Sequence, residues 1–325
     1  MYQQKYIKYK TKYIDLKNQI AGRRNIKTND NTELTPTIST SNKLLKFDFP
    51  EISIASVHYP EGPTGCTYVH FDVESVYYYC DARGGAVMTY ASDETRTNRK
   101  FIRGICFAGG SFLGLEAISG CVVQEMINVG YAKMKRYNVT GATLRSGNLH
   151  HNKIYPDKEL GRFAVNSLKK NELYLGQVGA GTMAGNGYYG LGAAFHVHKG
   201  IKIFVVTAVN ALGVLYDEKG NIVRDQWRMA RDEKKEKDPE SENTTLTAII
   251  TDLSLNHLEI RQLSVQCHTN MAVVIRPFHT IGDGDVLFGV TLNRIDRNSI
   301  EDFSLEEFFK VCSNITNQAI LTCYE

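Results

Sequence analysis

The hydrophobic rhythm of the chain changes several times, and each change marks a candidate element. From Leu45 onward, apolar residues run continuously or in alternation at 52–57 and 67–71, with Glu61-Gly62-Pro63-Thr64-Gly65 between them, which predicts two strands joined by a turn. Residues 111–126 are apolar nearly all round and carry Gly114 and Gly120, predicting a buried helix with close backbone neighbours. Asp157 is placed to cap a second helix bearing Leu160, Phe163 and Leu168 on one side. Strand-like runs follow at 203–209 and 213–216, and 217–221 supply turn chemistry. The stretch 228–242 is charged with almost no apolar position, so an exposed loop is expected there.

Directly after that loop, 245–253 is β-branched and apolar, the pattern of a strand buried on both faces. Asn256 with Glu259 forms an N-cap pair for a helix whose stripe is Ile260, Leu263, Cys267 and Met271. Residues 285–291 read as another strand, and Ser304 with Glu307 caps a last helix bearing Leu305, Phe308, Cys312 and Ile315. Strands and helices intermix throughout, which gives an α/β (α+β) class with helices covering sheet faces.

Ahead of this pattern lies a different composition. Tyr2, Tyr6, Tyr9, Tyr13, Leu16 and Ile20 recur at three- and four-residue steps among lysines. That spacing fits either an aromatic helical stripe for a membrane surface or a partner, or a solvated, partly helical extension. Residues 25–43, rich in Thr, Asn and Ser, read as a linker, so the division expected is a leader and linker over 1–43 and a single domain over 44–325. With 42% hydrophobic and 22% charged residues the chain is of the folded kind. The net charge is +3, but Lys5, Lys8, Lys10, Lys12, Lys17, Arg23 and Arg24 face only Asp15 in the leader, leaving the body net acidic. No nucleic-acid partner is expected for that body.

The seven cysteines are odd in number and contain no CxxC pair, which points to reduced thiols and a cytosol-like compartment. No apolar run was expected to reach the roughly 18 residues of a membrane span. No metal or cofactor is expected either. His196 and His198 share a strand face without a third ligand nearby, and the glycines of 176–192 are not followed by the Lys-Ser/Thr of a phosphate loop.

Three features bear chemistry. In Asn243-Thr244-Thr245 a hydrophilic loop stops and a buried strand begins. Cutting before Thr244 would set a free α-amine, titrating near ~7.7–8.0, beside its hydroxyl, so that base and nucleophile share one residue. By spacing alone the same tripeptide is also an ordinary strand entry. In Asp283-Gly284-Asp285, carboxylates two apart on an extended segment share a face, glycine admits close approach, and like charges raise one pKa; the alternative is a tight turn. The glycine-dense 176–192 offers backbone N–H groups to an oxyanion, and Asn210 at a strand end offers a side-chain amide or simply a turn. Cys267 and His268 are neighbours on a predicted helix and diverge, which disfavours a Cys–His dyad.

The segments FDFPEISIASVHYPEGPTG (47–65), DARGGAV (81–87), GICFAGGSFLGLEAISG (104–120), YPDKELGR (155–162), NTT (243–245) and FHTIGDGDVLFGVT (278–291) together resemble the nylon-oligomer hydrolases and the β-aminopeptidase and D-aminopeptidase group of N-terminal-nucleophile enzymes. The resemblance implies a four-layer αββα sandwich and a precursor that cuts itself between Asn243 and Thr244, giving 1–243 and 244–325. It further implies Thr244 as nucleophile toward a small amide or short peptide, Asp283 and Asp285 as the acids that position it, Asn210 as oxyanion donor, and a homotetramer. One departure stands out: Tyr188-Tyr189 precedes GLGAAF (190–195) where the family carries a lysine, removing a charge that lowers neighbouring pKa values. Slowed or altered self-cleavage is the expectation this raises, with a non-catalytic scaffold or binding protein, or an acyltransferase, as alternatives.

Overall fold

Strands that are apolar on both sides must be covered on both sides, and four layers result. The structure is a computed structural model that describes residues 26–27, 33–73, 76–92, 102–130, 139–145, 154–233 and 243–324; the aromatic stripe of the leader lies outside the described residues. Contacts group Pro36–Glu325 into one compact unit and Met1–Thr35 into another, and in the latter Ile26–Lys27 pairs antiparallel with Glu33–Leu34.

Within Pro36–Glu325 the principal strands are β1 Thr37–Ile38, β2 Ile52–Tyr59, β3 Thr64–Phe71, β4 Tyr77–Ala82, β5 Thr89–Tyr90, β6 Gly104–Ala108, β7 Val139–Thr143, β8 Lys169–Lys170, β9 Leu191–His198, β10 Ile201–Asn210, β11 Thr244–Leu253 and β12 Val286–Ile295. The helices among the described residues are α1 Leu115–Val129, α2 Lys158–Val165, α3 Gln226–Asp232, α4 His257–Asn270 and α5 Leu305–Leu321. One sheet runs β8-β2-β3-β6-β7-β5 with β1 beside β2, and the second runs β9-β10-β11-β12-β4. In the second sheet β10 and β11 are antiparallel, whereas β11 and β12 are parallel.

Alternation along each strand decides which layer a side chain enters. Leu246, Ala248 and Ile250 of β11 join Phe204 and Val206 of β10, Phe288 and Val290 of β12, and Ile54, Val69 and Phe107 of the first sheet in the core between the sheets. The opposite parity, Ile203, Val205, Ile249 and Leu287, packs under α4 and α5 through Ile260, Leu263, Cys267, Phe308, Cys312 and Ile315. Helices α1 and α2 cover the outer face of the first sheet. The αββα sandwich is thus realised, and most predicted elements are found near their expected bounds.

Capping chemistry holds where it was expected. Asp157 accepts the Glu159 and Leu160 N–H groups, Asn256 and Glu259 form a reciprocal capping box, and the Ser304 side chain accepts from Glu307. Three expectations need correction. Helix α2 ends at Val165, short of Leu168, and buries Leu160, Gly161, Ala164 and Val165, because its small-residue face is the one laid on α1. The expected loop at 228–242 opens as α3, started by an Asp225 cap and anchored by Gln226 and Trp227, whose side chains donate to the Ala211 and Leu212 carbonyls; 234–242 lie outside the described residues. Residues Ser111–Val129 are, by length and composition alone, long and apolar enough to cross a bilayer. They lie instead against the first sheet and α2, and carry Glu125, buried and bonded to the Tyr68 hydroxyl and to His70 Nδ1.

The α1–α2 crossing depends on two missing side chains. A Cβ at Gly120 would overlap the Lys158 carbonyl oxygen, and one at Gly161 would overlap that of Ala117. Backbone cannot retreat as a flexible side chain can, so the layer must part. Gly161→Ala is therefore expected to cost about 1–3 kcal/mol, read as a lower urea midpoint with an unchanged denaturant slope.

Candidate active site

Three strand ends and one turn meet at Thr244. Strand β11 starts there, directly opposite Asn210, the last residue of the antiparallel neighbour β10. Both have the parity of the inter-sheet core, and both are buried. One residue earlier, Asn243 forms a parallel bridge to Asp283, in the turn that leads into β12. The register is tied by backbone bonds through both the N–H and the carbonyl of Asn243. Gly284 N–H donates to the Asn243 carbonyl at 2.8 Å, and Asn243 N–H reaches the Gly282 carbonyl at 3.4 Å.

The carboxylates are held by donors close at hand. Asp285 Oδ1 accepts the Thr245 N–H at 2.7 Å, and its Oδ2 accepts from His279, through the backbone N–H at 3.2 Å and ring Nδ1 at 3.1 Å. Asp283 Oδ2 accepts the Thr280 N–H at 2.7 Å. Burial, with the negative charge of Asp285 added, pushes the Asp283 carboxyl above its usual range. The two acids are therefore not a simple pair on one extended strand: Asp283 belongs to a turn whose own N–H bonds back to Thr280, while Asp285 reaches β11.

Glycines make the approach possible. An added Cβ on Gly284 would sit 2.8 Å from Thr244 Oγ1 and 2.8 Å from the Ala86 carbonyl oxygen, inside van der Waals contact. Gly84 (φ +88°) and Gly85 face the Asp283 and Ile281 carbonyls so closely that any side chain would overlap them. The segment after β4 is laced to the acidic turn through Arg83 N–H to Asp285 O at 2.8 Å and Ala86 N–H to Asp283 O at 3.0 Å. The DARGGAV stretch thus acts as the backbone cradle of the acids.

On the other flank, the glycine-dense 176–192 folds into two short 3-10 turns, Gly179–Gly181 and Ala184–Gly187. Gly185 N–H donates to Asn210 Oδ1 at 2.6 Å. This bond fixes the carbonyl end of the Asn210 amide, whose other end, Nδ2, is the donor. Where a lysine was looked for, Tyr189 lies fully buried against Gly185 with its hydroxyl donating to the Gly213 carbonyl at 3.1 Å, and Tyr188 donates to Glu233 at 2.7 Å. Burial raises the Tyr189 phenol, so this position is neutral.

Sequence reasoning brought Asn210, Asn243, Thr244, Asp283 and Asp285 to one place, and the structure gathers all five. It gave no site role to His279 or Asp81, and weighed His268 only as a disfavoured partner of Cys267. His268 does diverge from Cys267 on α4: Cys267 Sγ lies near Ser313, while His268 Nδ1 bonds Asp81 Oδ2 at 3.0 Å. The available signal for His279 was its place as second residue of FHTIGDGD, six residues before Asp285, with a Gly-containing reversal between them. Among the described residues no group of three metal-ligating side chains converges.

The sequence profile of peptidase family S58 matches residues 47–323. The chain is 35% identical over 294 residues to the 6-aminohexanoate-oligomer endohydrolase of Agromyces sp. (strain KY5R), covering 82% of this chain and 80% of that protein. It is 34% identical, with the same coverage, to the enzyme of that name from Paenarthrobacter ureafaciens. In structure it is similar to a Burkholderia sp. β-aminopeptidase, with a TM-score of 0.67 at 12% identity and 88% of each chain covered. It also matches the L-aminopeptidase D-Ala-esterase/amidase of Ochrobactrum anthropi, described as a variant of the Ntn hydrolase fold, with a TM-score of 0.64 at 13% identity and 88% of each chain covered.

The support behind the acids has its own pH signature. His268 is buried beside Asp81, Arg83 and His279; burial, the largest effect, lowers its pKa from 6.5 to about 4 despite the raising hydrogen bond to Asp81. Between those values the unfolded chain binds a proton that the folded chain refuses. Its stabilising contribution is present above pH ~6.5 and is lost as pH falls toward ~4, at up to about 1.4 kcal/mol per pH unit. His268→Asn keeps a donor toward Asp81 and removes the titration. Urea unfolding at stepped pH should therefore show a shallower acid loss in the variant than in the wild type.

Proposed function

The chain belongs to peptidase family S58, and from that premise we propose that Thr244, freed by scission of the Asn243–Thr244 bond, is the nucleophile with which it hydrolyses amides. Family membership makes the chain an amide-bond hydrolase of the N-terminal-nucleophile type. The observation that carries the residue assignment is the placement of Thr244 at the first position of β11, with Gly284 N–H on the carbonyl before it and Asp285 on the N–H after it.

Self-cleavage then follows in balanced steps. Thr244 Oγ attacks the Asn243 carbonyl carbon as its proton passes to a neighbouring base. Negative charge grows on the carbonyl oxygen, where the Gly284 N–H already points. The C–N bond breaks, the nitrogen takes up a proton, and Asn243 is left as an ester on Oγ. Water hydrolyses the ester, releasing the Asn243 carboxylate and restoring the hydroxyl. The new α-amine lies one residue from the Thr245 N–H that Asp285 holds, and the two buried acids are suited to retain an ammonium.

In turnover the α-amine accepts the Oγ proton as Oγ attacks a substrate amide. Asn210 Nδ2, set by the Gly185 bond to its Oδ1, donates to the developing oxyanion. The protonated amine returns its proton to the leaving nitrogen, and water releases the acyl group. Small amides and short peptides are the proposed substrates, in keeping with the oligoamide named for the 35% identical relative. A neutral, buried Tyr189 in place of a cation leaves the buried acids as the groups that tune the amine. The assembled constellation supports catalysis over a non-catalytic scaffold.

Intact-mass measurement checks the scission: purified protein should resolve into 1–243 and 244–325, whereas Thr244→Ala should remain one chain and lose amide hydrolysis by at least about 1,000-fold. An unbroken wild-type chain after long incubation would overturn the assignment. A closed symmetric homotetramer is the proposed assembly, to be read by light scattering as four times the protomer mass; a monomer would refute it.

A further inference from the structure

Behind Asp285, on the side away from Thr245, sit two adjacent imidazoles that the steps above do not use. We infer that His279, backed by His268 and Asp81, is a positioning residue that locks the Asp285 carboxylate in the orientation in which it serves Thr244. The inference rests on the assignment of Thr244 and Asp285 given above.

Both donors of His279 converge on a single oxygen, Oδ2 of Asp285, while the other oxygen takes the Thr245 N–H. A carboxylate with one donor on one oxygen can swing; with two donors from one residue on Oδ2 and a third on Oδ1, its plane is fixed. Because a carboxylate only accepts, the bond assigns the His279 ring proton to Nδ1. His279 adopts this double grip at φ +59°, a left-handed conformation that non-glycine residues seldom take, so backbone strain is tolerated to place the donors.

The ring is held from both sides. It stacks on Phe278 with centroids 3.9 Å apart and meets the His268 ring edge-on at 4.4 Å. His268 is fully buried and bonded to Asp81, which Arg83 Nε also bonds at 2.8 Å, and the Arg83 N–H returns to the Asp285 carbonyl. The cluster therefore closes on the residue it positions. The Nε2 atoms of both histidines are buried without a hydrogen-bond partner. A buried polar atom left unpaired is unfavourable for stability. A cluster serving the core alone would be better served by apolar rings, so the feature worth keeping is the Nδ1 side that faces the acids.

The groups that face His279 are Asp285, Asp283 and His268, with Asp81 and Arg83 against His268 behind it, and the test separates their electrostatics from simple packing. Freshly synthesised wild-type, His279→Asn and His279→Gln chains are followed by intact mass through self-cleavage from pH 5 to 8, with melting temperatures recorded. The Asn amide places its nitrogen where Nδ1 stands, whereas Gln places it toward Nε2. His279→Asn should cleave within a few-fold of wild type, and His279→Gln about 10- to 100-fold more slowly. A carboxylate deprived of a donor protonates more readily, so the acid limb of the rate profile should move to higher pH in His279→Gln alone. Equal rates and superimposable limbs for Gln and wild type would overturn the inference while leaving the Thr244 assignment intact. Equal slowing of Asn and Gln with no movement of the limb would mark a structural role and overturn it as well. Failure of the wild type to cleave would overturn both readings together.

Discussion

The site depends on one short hydrogen bond between a backbone and a carboxylate: Thr245 N–H to Asp285 Oδ1 at 2.7 Å. It joins the second residue of β11 to the loop entering β12, and the parallel pairing of those strands from Leu246 and Val286 onward continues it. A parallel pair has no hairpin to set its register, so the start of the ladder must be specified by side chains and turns. Asp285 does this from one side of the Asn243–Thr244 peptide and Gly284 N–H from the other. The bonds that align the strands are thus the same ones that address the reacting peptide.

That economy explains the glycines around the acids. Gly284 can pass Thr244 Oγ1 only without a side chain, and Gly84 and Gly85 let the segment after β4 close over the turn. The outcome is an acid pair almost fully excluded from water, yet each oxygen described is answered by a nearby N–H or by a ring nitrogen. Burial and the charge of Asp285 raise the Asp283 carboxyl, giving two acids of unlike readiness to hold a proton. Unlike readiness is useful wherever a proton must be received at one stage and released at another.

The opposite wall of the site presents tyrosines where a lysine was expected. Tyr188 and Tyr189 are both buried, their hydroxyls engaged by Glu233 and by the Gly213 carbonyl, and the 3-10 turn they follow supplies the Gly185 N–H that orients Asn210. Aromatic bulk here stabilises the turn that aims an amide, while ionic work is left to the acids and to the amine that scission would release. The anchoring of α3 to the Ala211 and Leu212 carbonyls extends the same support along the chain after Asn210.

Much of this was legible without coordinates. Period-two and apolar runs located β2, β3, β10, β11 and β12, and cap residues Asp157, Asn256 and Ser304 marked helix starts, because those signals act through bonds to residues two or three positions away. The glycine-flanked acids and the Asn243-Thr244 strand entry singled out the chemistry, since few other roles need those residue types together. The sequence could not foretell α3, whose anchors Gln226 and Trp227 bond carbonyls fifteen residues away. Nor could it show the buried face of α2, which follows from the α1 backbone opposite Gly161. The coupling of Asp285 through His279 and His268 to Asp81 was equally hidden, for it spans β4, α4 and the turn before β12. Local propensity and periodicity, being short-range, determined the elements and the identity of the reactive groups. Which groups touch, and which nitrogen of a ring faces a carboxylate, was decided only when distant strands set their register.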